Sequence, residues 1–209
     1  MHQRPDDDPG VTDLVISPLF RTAGIVLLMV LPLLTMRLIS EERRNHTLSL
    51  LQSAPLSISE IVIGKYLAAL AFYAIALAGT LTLPIMIAAV GNPDVGAMVG
   101  GYLGSLLVGA MYLAVGIFVS GLFKDQIAAF VVSLMLCLFF YFAGTQMVVA
   151  TTDGWINGLG SFLERNVAVT SHYQEIQRGV VDLRNLVYFV SMTALFLVLN
   201  TLSLDGRRY

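Results

Sequence analysis

Seven charged side chains, Arg37, Glu41, Glu42, Arg43, Arg44, Glu60 and Lys65, stand within residues 37–65, four of them consecutive at 41–44. Phosphate chemistry is the first possibility, because Ile63-Gly64-Lys65-Tyr66 contains a Gly-Lys pair. A phosphate-cradling loop needs a glycine five residues before Gly64 and a Ser or Thr after Lys65, and Ser59 and Tyr66 occupy those places. Lys65 is therefore read as an anchor at a membrane interface. Metal chemistry needs clustered ligands, and no His or Cys has metal spacing. His46 and His172 are isolated and read as polar surface residues, while Cys137, inside an apolar run, reads as a small core hydrophobe. With no nucleophile–base arrangement either, the expected catalytic, cofactor and metal sites are none. The chemistry left for the charged stretch is docking of another molecule, against the plainer reading of a solvated loop whose acids and bases pair locally.

The elements around it are membrane helices. Hydrophobic residues make up 56% of the chain and charged residues 12%, against about 45–50% and about 25% in a soluble domain. Charge-free runs near the length of about 20 residues that a spanning helix needs fall at about 15–36, 66–91, 97–122, 127–150 and 185–204. Arg21 interrupts the first, where it can snorkel to headgroups, and Pro32 lies near its end. The runs lack the two-residue alternation of barrel strands. The fold class is thus an all-α integral membrane protein with about five transmembrane helices. The polar, acidic start MHQRPDDDPG does not read as a cleavable signal.

Placing residues 37–65 inside puts Arg37, Arg43, Arg44, Lys65, Lys124, Arg207 and Arg208 on that side, and Arg4, Arg21, Arg165, Arg178 and Arg184 outside. The basic excess favours this orientation. The chain divides into a polar tail (1–14), a cytoplasmic loop (37–65) and an outer segment (151–184), all within one transmembrane domain (1–209). The outer segment, with Trp155, Phe162, Glu164, Arg165, His172, Tyr173, Glu175 and Arg178, suits short amphipathic helices at or dipping into the interface. Gly96, Gly100 and Gly104 are spaced by four, as are Gly101, Ser105 and Gly109. Such stripes let helices approach closely, either at a dimer or moving interface or, the favoured reading, within the chain. Tyr66, Tyr73, Tyr102, Tyr112, Tyr141 and Trp155 partly mark interfaces. Tyr73, Tyr112 and Tyr141 fall deeper, where they either line a lipid-accessible or substrate-facing groove or, the favoured reading, each hydroxyl meets a backbone carbonyl.

Within the loop, Glu41-Glu42-Arg43-Arg44 extends the first helix and Thr47 to Gln52 forms a short helical turn. Ser53-Ala54-Pro55 breaks it, and Ser57-Ile58-Ser59-Glu60 fits a capping box that starts the helix of the second span. Apart from Arg21 the apolar runs carry no Asp, Glu, Lys, Arg or His, which argues against an ion-coupled carrier, sodium sites built from carbonyls and hydroxyls excepted. Energy is expected from another subunit.

PLLTMRLISEERRNHTLSLLQSAPLSISEIVIGKYLAA (32–69), GNPDVGAMVGGYLGSLLVGAMYLAVGIFVSGLFKDQIAA (91–129) and SHYQEIQRGVVDLRNLVYFVSMTALFLVLNTLSLDGRRY (171–209) follow in an order that resembles type-two ABC transporter permeases, most closely the gliding-motility-associated subgroup. The resemblance covers nearly the whole chain. It implies an inner (plasma) membrane permease subunit of an exporter-like complex, itself not an enzyme. That permease would pair with a second permease copy and with a separate cytoplasmic ATPase. The coupling region carries over to Glu41, Glu42, Arg43, Arg44, Thr47, Leu48, Leu51 and Pro55. The alternative is a non-transporting anchor or force-transmitting scaffold. Such permeases usually have six spans after an interfacial helix, so the first span is expected to be missing here, through a late start, a fragment or a reduced form.

Overall fold

The computed structural model describes residues 17–44, 57–90, 94–155, 158–177, 179 and 182–206. All regular structure among them is helical: α1 (Ser17–Thr35), α2 (Ser40–Arg44), α3 (Ile58–Gly79), α4 (Thr82–Val90), α5 (Val95–Leu122), α6 (Gln126–Phe142), α7 (Gln146–Trp155), α8 (Leu159–Asn166), α9 (Val169–Gln177) and α10 (Leu183–Asp205). The polar tail 1–14 lies outside the described residues.

Four segments are long and apolar enough to cross a membrane: Pro18–Glu42, Ile58–Met86, Val95–Leu122 and Leu183–Asp205. A fifth appears if α6 and α7 count as one broken span, which agrees with the expectation of about five. That run, read as one span over about 127–150, bends by 80° after Phe142. The Thr145 hydroxyl donates to Phe142 O at 2.8 Å inside the break, and the adjacent Gly144 lies against Ala168 and Ser171. The 17 residues of α6 cover about 25 Å at 1.5 Å per residue, slightly less than a hydrocarbon core of about 30 Å.

Helix starts follow local chemistry. The Ser57–Glu60 box is formed: Glu60 N–H donates to Ser57 Oγ at 3.3 Å, and Ser57 N–H to Glu60 Oε2 at 2.8 Å. The second span therefore begins at Ile58, eight residues before its charge-free run. Asp94, Asp125 and Asp182 cap α5, α6 and α10 by accepting from Gly96, Ile127 and Arg184 N–H, leaving these carboxylates at helix N-termini, where they satisfy otherwise orphaned donors.

The bundle is organised around α5. Inside the chain 72% of its apolar window is buried, against 33% for the α1 segment, 17% for α3–α4 and 22% for α10; those three turn most of their surface outward, as lipid-facing helices do. Small residues admit the neighbours. Gly101 faces the Phe20 ring of α1, Gly104 faces Tyr173 of α9, Gly109 faces Tyr73 of α3 and Gly116 faces Thr35. Gly100 lies against the backbone at Ile176 and Gly179, and Ser105 is fully buried, whereas Gly96 is exposed at the start of the helix.

These contacts set directions. Phe20 packs near Gly101 and Tyr102, and Met36 near Ser120, so α1 runs parallel to α5. α3 runs opposite, with Tyr73 donating to Ser105 O at 2.7 Å and Tyr102 to Thr80 O at 3.0 Å. α10 ends beside the end of α5, where Asn200 Nδ2 donates to Ile117 O at 3.4 Å. One face of the bundle thus gathers Met36–Glu42, Lys65, Ser120 and Asn200, and the opposite face gathers Phe20, Tyr102 and α7–α9.

Two expectations are corrected. His172 is 4% exposed, not a surface residue. Asn185 donates to Glu175 Oε2 at 2.9 Å, which turns its Oδ1 to His172 Nδ1 at 2.7 Å, and the imidazole stacks on Tyr188 with centroids 4.2 Å apart. His172 thereby ties α9 to α10. The other correction concerns Tyr112, whose buried hydroxyl has no hydrogen-bond partner among the described residues rather than a backbone carbonyl.

Because a Cβ on residue 100 would collide with the carbonyl oxygen of Ile176, which as backbone cannot swing away, Gly100→Ala is expected to push α9 off α5. The predicted loss is about 1–3 kcal/mol, read as a lower melting temperature in detergent with faster amide exchange in 169–177. Gly64→Ala, with nothing within 4 Å of the added methyl, is expected to leave both unchanged.

Candidate functional site

The charged segment meets the bundle at the end of α1. Pro32 still accepts from Met36 N–H at 3.0 Å, and the buried Thr35 hydroxyl donates to Leu31 O at 3.0 Å. The chain then turns through residues 36–39 into α2. At a break of this kind the last carbonyls of one helix and the first amides of the next lose their helical partners. Here Ser120 of α5 supplies them. Its Oγ accepts from Ile39 N–H at 3.1 Å and from Ser40 N–H at 3.0 Å, and donates to Met36 O at 3.1 Å. The Ser40 hydroxyl also donates to Met36 O. One donor and two acceptors are all a hydroxyl offers, so Ser120 is saturated. Ser120, Ser40 and Thr35 are each 0% exposed.

α3 fastens the same turn from its other side. The Lys65 ammonium donates to Leu38 O at 2.7 Å and pairs with Glu42 Oε1 at 2.6 Å. The two side chains are 19% and 25% exposed, so water reaches the pair but does not dominate it. Lys65 is thus a strut between α3 and α2 as well as a cation near a helix end. The arrangement is mechanical: a short polar elbow is pinned to α5 by neutral bonds and to α3 by charge.

Of the residues expected to contact a partner, Glu41 is exposed on α2 and Glu42 is turned toward Lys65. Arg43 and Arg44 close α2. Thr47, Leu48, Leu51 and Pro55 lie outside the described residues, as does His46. Sequence reading missed Ser120 altogether, since a serine in an apolar helix ordinarily bonds its own backbone.

A second polar node sits toward the opposite face. Tyr173 donates to Phe20 O at 2.9 Å and lies 3.1 Å from Ser105 Oγ, joining α9 to α1 and α5. Burial pushes the Tyr173 hydroxyl above the ordinary phenol range, with hydrogen bonds to Ser105 and Gln177 opposing. It therefore works as a neutral donor.

A multi-pass helical bundle with a fastened polar elbow at one face defines a membrane-embedded component. The chain belongs to the ABC-2 family transporter proteins, whose family model matches residues 3–203. No curated protein matches it. It is the permease membrane component of such a transporter, and membership implies a partner ATPase subunit.

Lys65→Met removes two charged hydrogen bonds from a partly buried site, so it is predicted to destabilise the permease by about 2 kcal/mol. Glu42→Gln, which leaves the Leu38 bond standing, should cost less. A double-mutant cycle on melting temperatures in low and high salt checks this, with the pair's own coupling shrinking as salt rises.

Proposed function

We propose that this permease works in an exporter-like complex whose separate ATPase docks on residues 37–65, on the cytoplasmic face. Glu41, Arg43, Arg44, Thr47, Leu48, Leu51 and Pro55 form the contact region, with Glu42 held behind it by Lys65. ATP-driven closure of two ATPase subunits, one beneath each permease of a dimer, moves the elbow and with it the spans. The observation that supports this reading is the double fastening of residues 36–42 to α3 and α5. A freely solvated loop would absorb a push, whereas a pinned elbow delivers it. The absence of Asp, Glu, Lys, Arg and His from the apolar runs at the heart of the spans, Arg21 aside, supports an external energy source. Among permeases the chain reads closest to the gliding-motility-associated subgroup, on the resemblance of its three segments.

Co-purification with a co-expressed ABC ATPase subunit is the test, and a permease that binds no ATPase contradicts the reading. Reversing both Arg43 and Arg44 to Glu is expected to weaken association about tenfold at physiological salt while leaving membrane insertion intact, since each exposed pair is worth up to about 1 kcal/mol. Unchanged association would remove those two charges from the docking surface. Stimulation of ATPase activity by a candidate substrate marks transport, and a force-transmitting scaffold shows none.

A further inference from the structure

We infer that Ser120 is the positioning residue through which movement of the elbow reaches α5, the central helix. This rests on the reading of residues 37–65 as the ATPase docking element. Three observations carry it. First, a single hydroxyl bridges the two helices flanking the elbow, taking Met36 O at the end of α1 and the Ile39 and Ser40 amides at the start of α2. Displacing α2 relative to α5 breaks the Ile39 and Ser40 bonds together. Second, the joint is dry. Ser120 and Ser40 are 0% exposed and Ile39 is 1% exposed, so water does not step in as bonds stretch, and the low-cost course is for α5 to follow. The other fastening, Lys65 to Glu42, is partly wet and yields to salt, so it is the softer link. Third, the receiving element is continuous from one face of the bundle to the other. α5 is one continuous helix of 28 residues without proline, about 42 Å long. Its far half cradles α9 through Gly100 and Gly104 and bonds Tyr173 through Ser105. A shift applied at Ser120 is therefore delivered to the α9 docking site.

The experiment measures hydrogen–deuterium exchange of the permease–ATPase complex in nanodiscs, with and without a non-hydrolysable ATP analogue. It compares wild type, Ser120→Ala, Ser120→Thr and Ser133→Ala. Ser133 is a matched control, a buried hydroxyl on α6 with no hydrogen-bond partner among the described residues. In the wild type the analogue is expected to change exchange in 169–177. Ser120→Ala should bind the ATPase yet reduce that change at least about fivefold, the lower end of coupling between linked sites. Ser120→Thr keeps the hydroxyl and should retain most of the change, and Ser133→Ala should retain all of it. Should Ser120→Ala fail to accumulate, Ser120→Cys takes its place, because a thiol keeps the volume but accepts hydrogen bonds weakly. An undiminished ATP response in the hydroxyl-free variant overturns the inference. So does a variant that inserts normally but no longer binds the ATPase, since that would place Ser120 in support of docking. A wild-type permease that binds no ATPase sinks the docking reading instead, and the two failures are told apart by that binding step.

Discussion

Inside a bilayer no water is available to take up a backbone amide that a helix has released, so every break in a spanning helix must be answered by another part of the chain. That constraint shapes this permease at each point where it departs from straight helices. At the end of α1 the answer is the Ser120 hydroxyl, which closes three backbone valences with one side chain. At the break after α6 the Thr145 hydroxyl and amide both donate to Phe142 O. Where α9 turns into the bundle, Tyr173 and His172 fasten it to α1, α5 and α10. Each solution is polar, and each sits where a helix must be held at a defined angle.

The same constraint explains why one helix carries the architecture. α5 can touch so many neighbours only because glycine leaves its backbone accessible on several sides. Packing of this closeness in lipid comes from van der Waals contact and a few hydrogen bonds, without a hydrophobic drive between helices. The glycines therefore do two jobs. They let α3, α1 and α9 settle against one rod, and they make that rod the shared element of both faces. The polar elbow at one end and the α7–α9 helices at the other are linked through it.

Much of this was legible in the residues. The Ser57 to Glu60 spacing announced a capping box, and it is formed where it was read, because such a box depends on four consecutive residues and nothing else. The apolar runs announced the membrane helices for the same reason. The 80° bend after Phe142 was not legible, because Ala143 and Gly144 are ordinary members of an apolar run until Ala168 and Ser171 arrive against them. His172 was misread as a surface residue because its partners, Asn185 and Tyr188, come from a different helix. Ser120 left no trace in its own neighbourhood, and its role exists only through the turn at residues 36–40, some eighty positions away. Local rules found the elements, while the joints between them came from tertiary contact.

The central claim is that force enters at the elbow. A photo-crosslinking amino acid placed at the exposed Glu41, and in a second version at the exposed Met147 on the opposite face, tests it directly in membranes containing the ATPase. The account predicts a covalent adduct with the ATPase subunit from position 41 and none from position 147. An adduct from position 147, or none from 41 while the complex is intact, would contradict it.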